Sequence, residues 1–214
     1  MEIILNSVEV RVLGALIEKE LTTPEYYPLT LNSLVNACNQ KSNRDPVVNY
    51  DDSTVDKALA TLRDKQYVRR VTGTDMRVPK YKQIFSEELK FTPEETAVMC
   101  ILMLRGSQTI GEIKGRTGRM FNFESLMQVD EVINGLNKRE KPYIMKLPKQ
   151  SGMKESRYVH LLSGEPVIQS EPETHEDENP DKDRLSYLEK EISFLKTEFE
   201  EFKSQFNELK KLLE

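Results

Sequence analysis

The side chains best suited to directional hydrogen bonding stand in one short run, residues 37–46, which reads ACNQKSNRDP. The amides and cations of this run are Asn39, Gln40, Lys41, Asn43 and Arg44. Amide and guanidinium groups match the hydrogen-bonding edges of adenine and guanine, and lysine and arginine contact phosphates. The run is therefore a candidate surface for binding nucleic acid or a protein partner.

The same polar run also has a purely structural interpretation. Asn39 and Asn43 are placed to cap the end of the preceding helix, and Arg44 has Asp45, Asp51 and Asp52 nearby as ion-pair partners. Amide and guanidinium groups can satisfy the backbone of a loop as well as they can bind a ligand. The sequence alone leaves both interpretations open.

More cations surround two predicted β-hairpins and the helix between them. Those around the first hairpin are Arg69, Arg70, Arg77, Lys80 and Lys82. Those around the second are Lys149, Lys154 and Arg157, and Lys114, Arg116 and Arg119 accompany the helix. A single strand cation is usually just solvated. Clustering at both hairpins favours a functional interpretation.

The sequence shows no pattern typical of a catalytic or metal site. It contains no phosphate-binding loop, no GxSxG and no metal-spaced cluster. Its histidines, His160 and His175, stand apart, and Cys38 and Cys100 have no nearby partner. The segment GRTGR at 115–119 resembles a phosphate-binding loop only superficially, because the preceding strand and the Lys-Ser/Thr pair are missing. We expect a non-enzymatic protein without a cofactor or metal.

The formal net charge of −5 is unevenly distributed along the chain. Residues 1–163 carry a net charge of +3, and residues 164–214 carry −8. The overall acidity therefore does not exclude nucleic acid as a partner. Two lone cysteines, an N-terminus without a basic leader and the absence of a long apolar segment predict a cytoplasmic protein that does not contact a membrane.

Hydrophobic periodicity predicts the order helix, helix, helix, β-hairpin, and this order occurs twice. In residues 1–86, helices are predicted from Ser7 to about Glu20, from Thr30 and from Asp51, with strands at 67–71 and 77–83. In residues 87–163, helices are predicted from Thr92, around Ile110 and over 123–136, with strands at 143–147 and 156–162. We predict a mainly α protein with small β-hairpins (α+β), built as two tandem winged helix-turn-helix domains.

The C-terminal region is predicted to contain an acidic disordered linker over 164–183 and a coiled-coil helix over 184–214. Apolar residues alternate at spacings of three and four: Leu185, Leu188, Ile192, Leu195, Phe199, Phe202, Phe206, Leu209 and Leu213. In a parallel pair, Glu191 and Glu198 of one helix face Lys196 and Lys203 of the other. We expect a parallel homodimer. The alternative is that this helix packs against its own domains.

Three segments carry a resemblance to a known family. They are EVRVLGALIEKELTTPEYYPLTLNSLVNACNQKSNRDPV, LRGSQTIGEI and ESRYVHLLSGE. Together they resemble the YceH-like family, which comprises uncharacterised bacterial proteins with tandem winged-helix domains. The resemblance covers about residues 5–165. It implies two winged-helix domains and a bacterial cytoplasmic setting, and it implies no activity.

Two functions from different classes fit these observations. The first is a DNA-binding or transcription-related regulator, since winged helices commonly place the third helix in the major groove. Against it, the predicted third helices are acidic, with Asp52 and Asp56 in one and Asp130 and Glu131 in the other. The second is a protein–protein adaptor that binds an unknown partner without contacting DNA.

Deletion of residues 184–214 is expected to convert a dimer into a monomer, because the predicted coiled coil supplies the apolar contact between chains. Light scattering of the full-length and truncated chains measures this change in mass. A truncated chain with an unchanged oligomeric mass would contradict the coiled-coil prediction.

Overall fold

The structure is a computed structural model that describes residues 4–73, 78–149 and 155–166. Residues 167–183 of the predicted linker, the predicted coiled coil and two predicted hairpin cations, Arg77 and Lys154, lie outside the described residues.

The first half follows the predicted order of elements. Its helices are α1 (Ser7–Thr22), α2 (Leu31–Cys38) and α3 (Asp52–Asp64), with a single 3-10 turn at Pro24–Tyr26. Its strands are β1 (Leu29–Thr30), β2 (Val68–Val71) and β3 (Lys80–Gln83). Asn6 and Glu9 form a capping box, with Glu9 N donating to Asn6 Oδ1 at 2.9 Å and Asn6 N donating to Glu9 Oε2 at 2.8 Å. Polar caps therefore set the helix starts as the sequence predicts.

The second half repeats this order with shorter connections between its helices. After the short helix α4 (Phe85–Glu88) come α5 (Pro93–Arg105), α6 (Ile110–Thr117) and α7 (Leu126–Asn137). Strands β4 (Ile144–Lys146) and β5 (Tyr158–His160) form an antiparallel pair. The predicted start of the third helix at Phe123 is wrong. Phe123 is buried against Phe121, at a ring-centroid distance of 4.8 Å, and Ser125 caps the helix instead.

The two sheets are small and antiparallel. In the first sheet β3 lies between β1 and β2, with Leu29 opposite Tyr81 and Arg69 opposite Lys82. Seven α-helices and these sheets in the described residues confirm the mainly helical α+β class. The assignment of both halves as winged helices, and the domain boundary between residues 86 and 87, stay predictions.

The hydrophobic core is continuous between the two halves, and residues 1–167 form one compact unit. Helices α1 and α5 lie at its centre. Every residue of α1 from Glu9 to Ile17 is buried, as is every residue of α5 from Glu95 to Leu104. A helix that is apolar around most of its surface needs neighbours on every side. Helix α1 of the first half and helix α5 of the second half therefore cover each other at the centre of the core.

A chain of four aromatic rings adds a second connection between the halves. Tyr67, Phe85, Phe91 and Tyr143 meet edge to face at centroid distances of 5.1, 5.7 and 5.0 Å. Edge-to-face contacts of this kind add stability beyond the burial of area. Tyr67 and Tyr143 each follow the third helix of their half. The equivalent tyrosines of the two halves are therefore connected through Phe85 and Phe91.

No helix in the described part of the chain is both long enough and apolar enough to cross a membrane.

Gly14 permits the close approach of α1 and α5. A Cβ atom at Gly14 would lie 3.0 Å from Leu104 Cδ2 and 3.2 Å from Met103 Cβ, whereas one at Gly135 in α7 would meet nothing within 4 Å. We expect Gly14→Val to lower the free energy of unfolding by about 1–3 kcal/mol through overpacking. Gly135→Val is the matched control and should leave stability nearly unchanged in urea titrations. Equal changes in the free energy of unfolding for the two substitutions would contradict a close contact at Gly14.

Candidate functional site

Arg44 lies at the centre of the polar run and belongs to the protein interior. Its side chain is 0 % exposed. Nη1 and Nη2 donate to the two carboxylate oxygens of Glu18 at 3.0 and 2.5 Å. Nε and Nη2 donate to the carbonyl of Ala37 at 3.1 and 2.9 Å, and Nη1 donates to the carbonyl of Asn43 at 2.9 Å. A guanidinium has five N–H donors, and all five are used here.

These contacts correct two sequence-based expectations for Arg44. The residue has no donor left for nucleic acid or a partner, so it is not a ligand contact. Its carboxylate partner is Glu18 in α1, and not Asp45, Asp51 or Asp52. Sequence proximity suggested the aspartates, whereas the fold brings α1 against the polar run.

Glu18 is held in its charged form by this pairing. Burial by itself would raise the pKa of Glu18, but the hydrogen bonds and the charge of Arg44 outweigh burial, and the pKa lies below its ordinary value. Lys19 adds a weaker attraction, with Nζ 3.5 Å from Glu18 Oε2. The buried pair is therefore an ionic contact at neutral pH.

Arg11 is a structural residue that the sequence analysis did not single out. It lies in α1 and is 4 % exposed. Its Nη1 donates to the carbonyl of Cys38 at 3.2 Å and its Nη2 to the carbonyl of Pro46 at 2.6 Å. Cys38 and Pro46 stand near the two ends of the polar run. The only signal in the sequence is an arginine among the apolar residues of a predicted core helix.

Asn39 also has an internal role. Its Nδ2 donates to the carbonyl of Tyr50 at 2.8 Å, and its Oδ1 accepts from Tyr50 N at 2.8 Å. A side-chain amide thereby mimics a pair of backbone hydrogen bonds and closes the long connection between α2 and α3. This agrees with the structural interpretation of Asn39. The run thus has an inner set of residues that builds the loop and an outer set that faces solvent.

The outer residues line a cleft of about 690 Å³. Gln40, Lys41, Ser42 and Asn43 form one side of it. The other side comes from the second half of the chain and includes Arg105 at the end of α5 and, around the end of α6, Gly115, Arg116, Gly118 and Arg119. Asn43 has a φ of 61°, a left-handed conformation that asparagine tolerates, and its Oδ1 accepts a hydrogen bond from Arg105 Nη2. The structure therefore brings the polar run together with the GRTGR segment.

Positive charge dominates the cleft. Its lining contains five cationic side chains, which are Lys19, Lys41, Arg105, Arg116 and Arg119. Its one carboxylate, Glu18, is already paired with Arg44. Burial lowers the pKa of Arg105, and repulsion from Arg116 and Arg44 lowers it further. Lys41 and Arg119 are exposed and have no ion-pair partner among the described residues.

The outer face of the first sheet is also cationic. Because side chains alternate along a strand, Lys80 and Lys82 share a face, and Arg69 lies directly opposite Lys82 on that face. Like charges directly opposite each other destabilise a strand pair, so this face concentrates positive charge at a cost in stability. Arg70 is exposed next to them, opposite Tyr81.

The second hairpin does not present a comparable cluster in the part that the structure describes. Arg157 donates to the carbonyl of Ser107 at 2.8 Å and to Glu112 Oε2 at 2.7 Å, so it ties the hairpin to the start of α6. Lys149 is exposed. The predicted symmetry between the two hairpins therefore does not extend to Arg157.

The third helix of each half presents carboxylates to solvent. In α3 and its cap, Asp51, Asp52 and Asp56 are exposed, and in α7 Glu131 is exposed. Asp51 caps α3 by accepting from Thr54 N at 2.8 Å. The cationic cleft and the acidic helix N-terminus are thus separate features, although they are joined by the same loop.

These features define a small α+β protein with a cationic cleft between two similar halves. Residues 5–153 match a family described as "Protein of unknown function, DUF480", and the chain belongs to this family. It is 50 % identical over 198 residues to a UPF0502 protein of Geobacter sulfurreducens, with 90 % of each chain covered. It is 50 % identical over 190 residues to a UPF0502 protein of Solibacter usitatus, covering 88 % of this chain and 91 % of that one. The resemblance to an uncharacterised bacterial family is confirmed.

Breaking the Arg44–Glu18 pair is expected to destabilise the protein strongly. Arg44→Ala leaves the partly buried Glu18 without its main partner, and loss of one member of a buried pair typically costs about 3–5 kcal/mol in the free energy of unfolding. Lys41→Ala changes an exposed cation three positions earlier and should shift stability by at most about 0.5 kcal/mol. Urea unfolding at neutral pH measures both values.

The same pair predicts a pH dependence. Because the folded pKa of Glu18 lies below its ordinary value of 4.5, the stabilisation is complete at neutral pH and is lost as the pH falls below 4.5. The stability difference between the original chain and Arg44→Ala should therefore narrow in acid. A difference that is small at pH 7, or that grows below pH 4.5, would contradict this account.

Proposed function

We propose that this protein is a non-enzymatic nucleic-acid-binding protein that holds phosphates in the cationic cleft and on the adjoining sheet. The observation that carries the proposal is the charge of the cleft. Five cations line it, of which Arg116 is paired with Glu112 at 3.4 Å, and its one carboxylate is already paired with Arg44. A concave site with an excess of one charge attracts and concentrates ligands of the opposite charge. Contacts from lysine and arginine to phosphates supply most of the affinity of nucleic-acid-binding proteins.

The cleft and the outer face of the first sheet form one extended cationic surface, which we call the cationic track. Lys19 and Thr23 line both the large cleft and a smaller pocket of about 360 Å³ that reaches Lys80 on β3. The cations beyond Lys80 are Arg69 and Lys82, on the outer face of the sheet. A polyanion of several nucleotides fits such a track better than a single small anion does, because the charges extend well beyond one pocket.

This mode differs from recognition by the third helix. Phosphates approaching the N-terminus of α3 would meet Asp51, Asp52 and Asp56. In the cleft they meet Lys41 and Arg119, which have no competing carboxylate among the described residues. The proposed contacts therefore position the nucleic-acid backbone and do not by themselves specify a base sequence.

The predicted coiled coil fits this function. A parallel dimer in the cytoplasm would carry two copies of the track, and two linked sites bind one long partner more tightly than either site alone. A regulator of transcription is one role for such a dimer.

A second function, that of a protein–protein adaptor, is favoured by a different observation. Leu126 and Met127, in the first turn of α7, are 53 % and 70 % exposed. Adjacent exposed apolar side chains are typical of a surface that binds another protein. A pull-down with and without nuclease treatment separates the two functions, because only a nucleic-acid-dependent partner is lost after digestion.

We expect the double variant Lys41→Ala/Arg119→Ala to bind nucleic acid more weakly and with a weaker salt dependence. Removal of two phosphate contacts should lower the slope of log K against log salt by roughly 1.4–1.8. Fluorescence anisotropy with labelled oligonucleotides from about 50 to 200 mM salt measures the slope.

The matched control is Lys57→Ala/Arg63→Ala. It removes the same charge from exposed positions on α3, so it should leave affinity and slope nearly unchanged. A larger loss of affinity in the α3 variant than in Lys41→Ala/Arg119→Ala would indicate recognition by the third helix. Failure of the unaltered chain to bind any oligonucleotide at about 50 mM salt would favour the adaptor function.

A further inference from the structure

An exposed aromatic ring stands beside the cationic track. Tyr26 ends the 3-10 turn after α1, and its side chain is 72 % exposed. The neighbouring Tyr27 is half-buried, and its hydroxyl accepts a hydrogen bond from Gln83 N at 2.6 Å. Of two consecutive tyrosines, one therefore packs within the chain and the other presents its ring to solvent.

Tyr26 lines the smaller pocket of about 360 Å³. Two ammonium groups, those of Lys19 and Lys80, line the same pocket, and no carboxylate does. Thr30 and Ser33 contribute hydroxyls, with Thr30 Oγ1 and Ser33 Oγ 3.0 Å apart. The pocket thus combines an aromatic face, two cations and hydrogen-bonding groups that can donate or accept.

This combination fits one nucleotide with an unstacked base. Aromatic side chains stack on bases of every type, and adjacent lysines contact the phosphates on either side. In a duplex the bases are stacked on each other and their faces are not available to a side chain. An exposed aromatic ring next to cations is therefore more useful for a single strand than for a duplex.

We propose that the Tyr26 pocket takes one base of a single-stranded nucleic acid whose flanking phosphates run into the cationic cleft. This inference rests on the proposed function and narrows its ligand to single strands. Lys19 is the link, because it lines both the pocket and the cleft. Tyr26 acts as a stacking platform, and Lys19 and Lys80 hold the backbone on either side of the base.

Exposed tyrosines are also common where proteins bind proteins. Two cations without a carboxylate in the lining would then require an acidic peptide. We favour the single strand because Lys19 also lines the cleft, where four further cations can continue the backbone contacts in one direction.

The test uses the full-length chain and fluorescence anisotropy with a labelled mixed-sequence single strand and the duplex of the same sequence. The single strand should bind at least about tenfold more tightly than the duplex. Tyr26→Ala should weaken single-strand binding by about tenfold or more and leave duplex binding nearly unchanged. Tyr26→Phe keeps the ring and should bind like the original chain.

Two controls separate stacking from charge and from general effects on the surface. Loss of stacking removes no phosphate contact, so Tyr26→Ala should keep the salt slope that Lys41→Ala/Arg119→Ala reduces. Met127→Ala truncates an equally exposed apolar side chain on α7 and should not change binding.

The outcomes distinguish this inference from the proposed function. Equal affinity for both forms, with no effect of Tyr26→Ala, would overturn the Tyr26 pocket and leave cleft binding intact. A Tyr26→Phe variant as weak as Tyr26→Ala would also overturn the stacking role. Absence of binding to either form would overturn both proposals, and binding of a labelled poly-glutamate peptide in that case would assign the pocket to acidic peptides.

Discussion

The pair formed by the buried Arg44 and the partly buried Glu18 is the contact on which the arrangement of the polar run depends. Arg44 uses all five of its donors within the chain, so one side chain fixes α1, the end of α2 and the turn at Asn43 relative to one another. Arg11 holds the carbonyls of Cys38 and Pro46 from the same helix. Two buried guanidiniums therefore hold this loop in place through hydrogen bonds to its backbone carbonyls.

A fixed interior gives the loop a defined exterior. With Arg44 and Asn39 directed inward, Gln40, Lys41 and Asn43 face the cleft. Asp45 N donates to the carbonyl of Leu104 at 2.9 Å, so the loop is anchored to the end of α5 as well as to α1. The cleft exists because this loop, which belongs to the first half, is held against the α5–α6 corner of the second.

Charge is distributed unequally over the surface of the described residues. Carboxylates occupy the start of α3, where they stabilise the helix N-terminus. Cations occupy the cleft and the outer face of the first sheet. Under the proposed function, a polyanion is therefore repelled by the start of α3 and attracted to the concave surface beside it. This distribution is the physical reason for assigning phosphate contacts to the cleft.

Local sequence patterns predicted the helix caps other than that of α7, the repeated order of elements and the α+β class, because caps and periodicity are local properties of neighbouring residues. It also marked residues 37–46 as unusual, without deciding which of them face a ligand. The three-dimensional fold was needed to show that Arg44 pairs with Glu18, that Arg11 supports the loop, and that Arg116 and Arg119 lie across the cleft from the polar run. These contacts join positions that are far apart in the chain, and no local pattern encodes which distant carboxylate a buried guanidinium will reach.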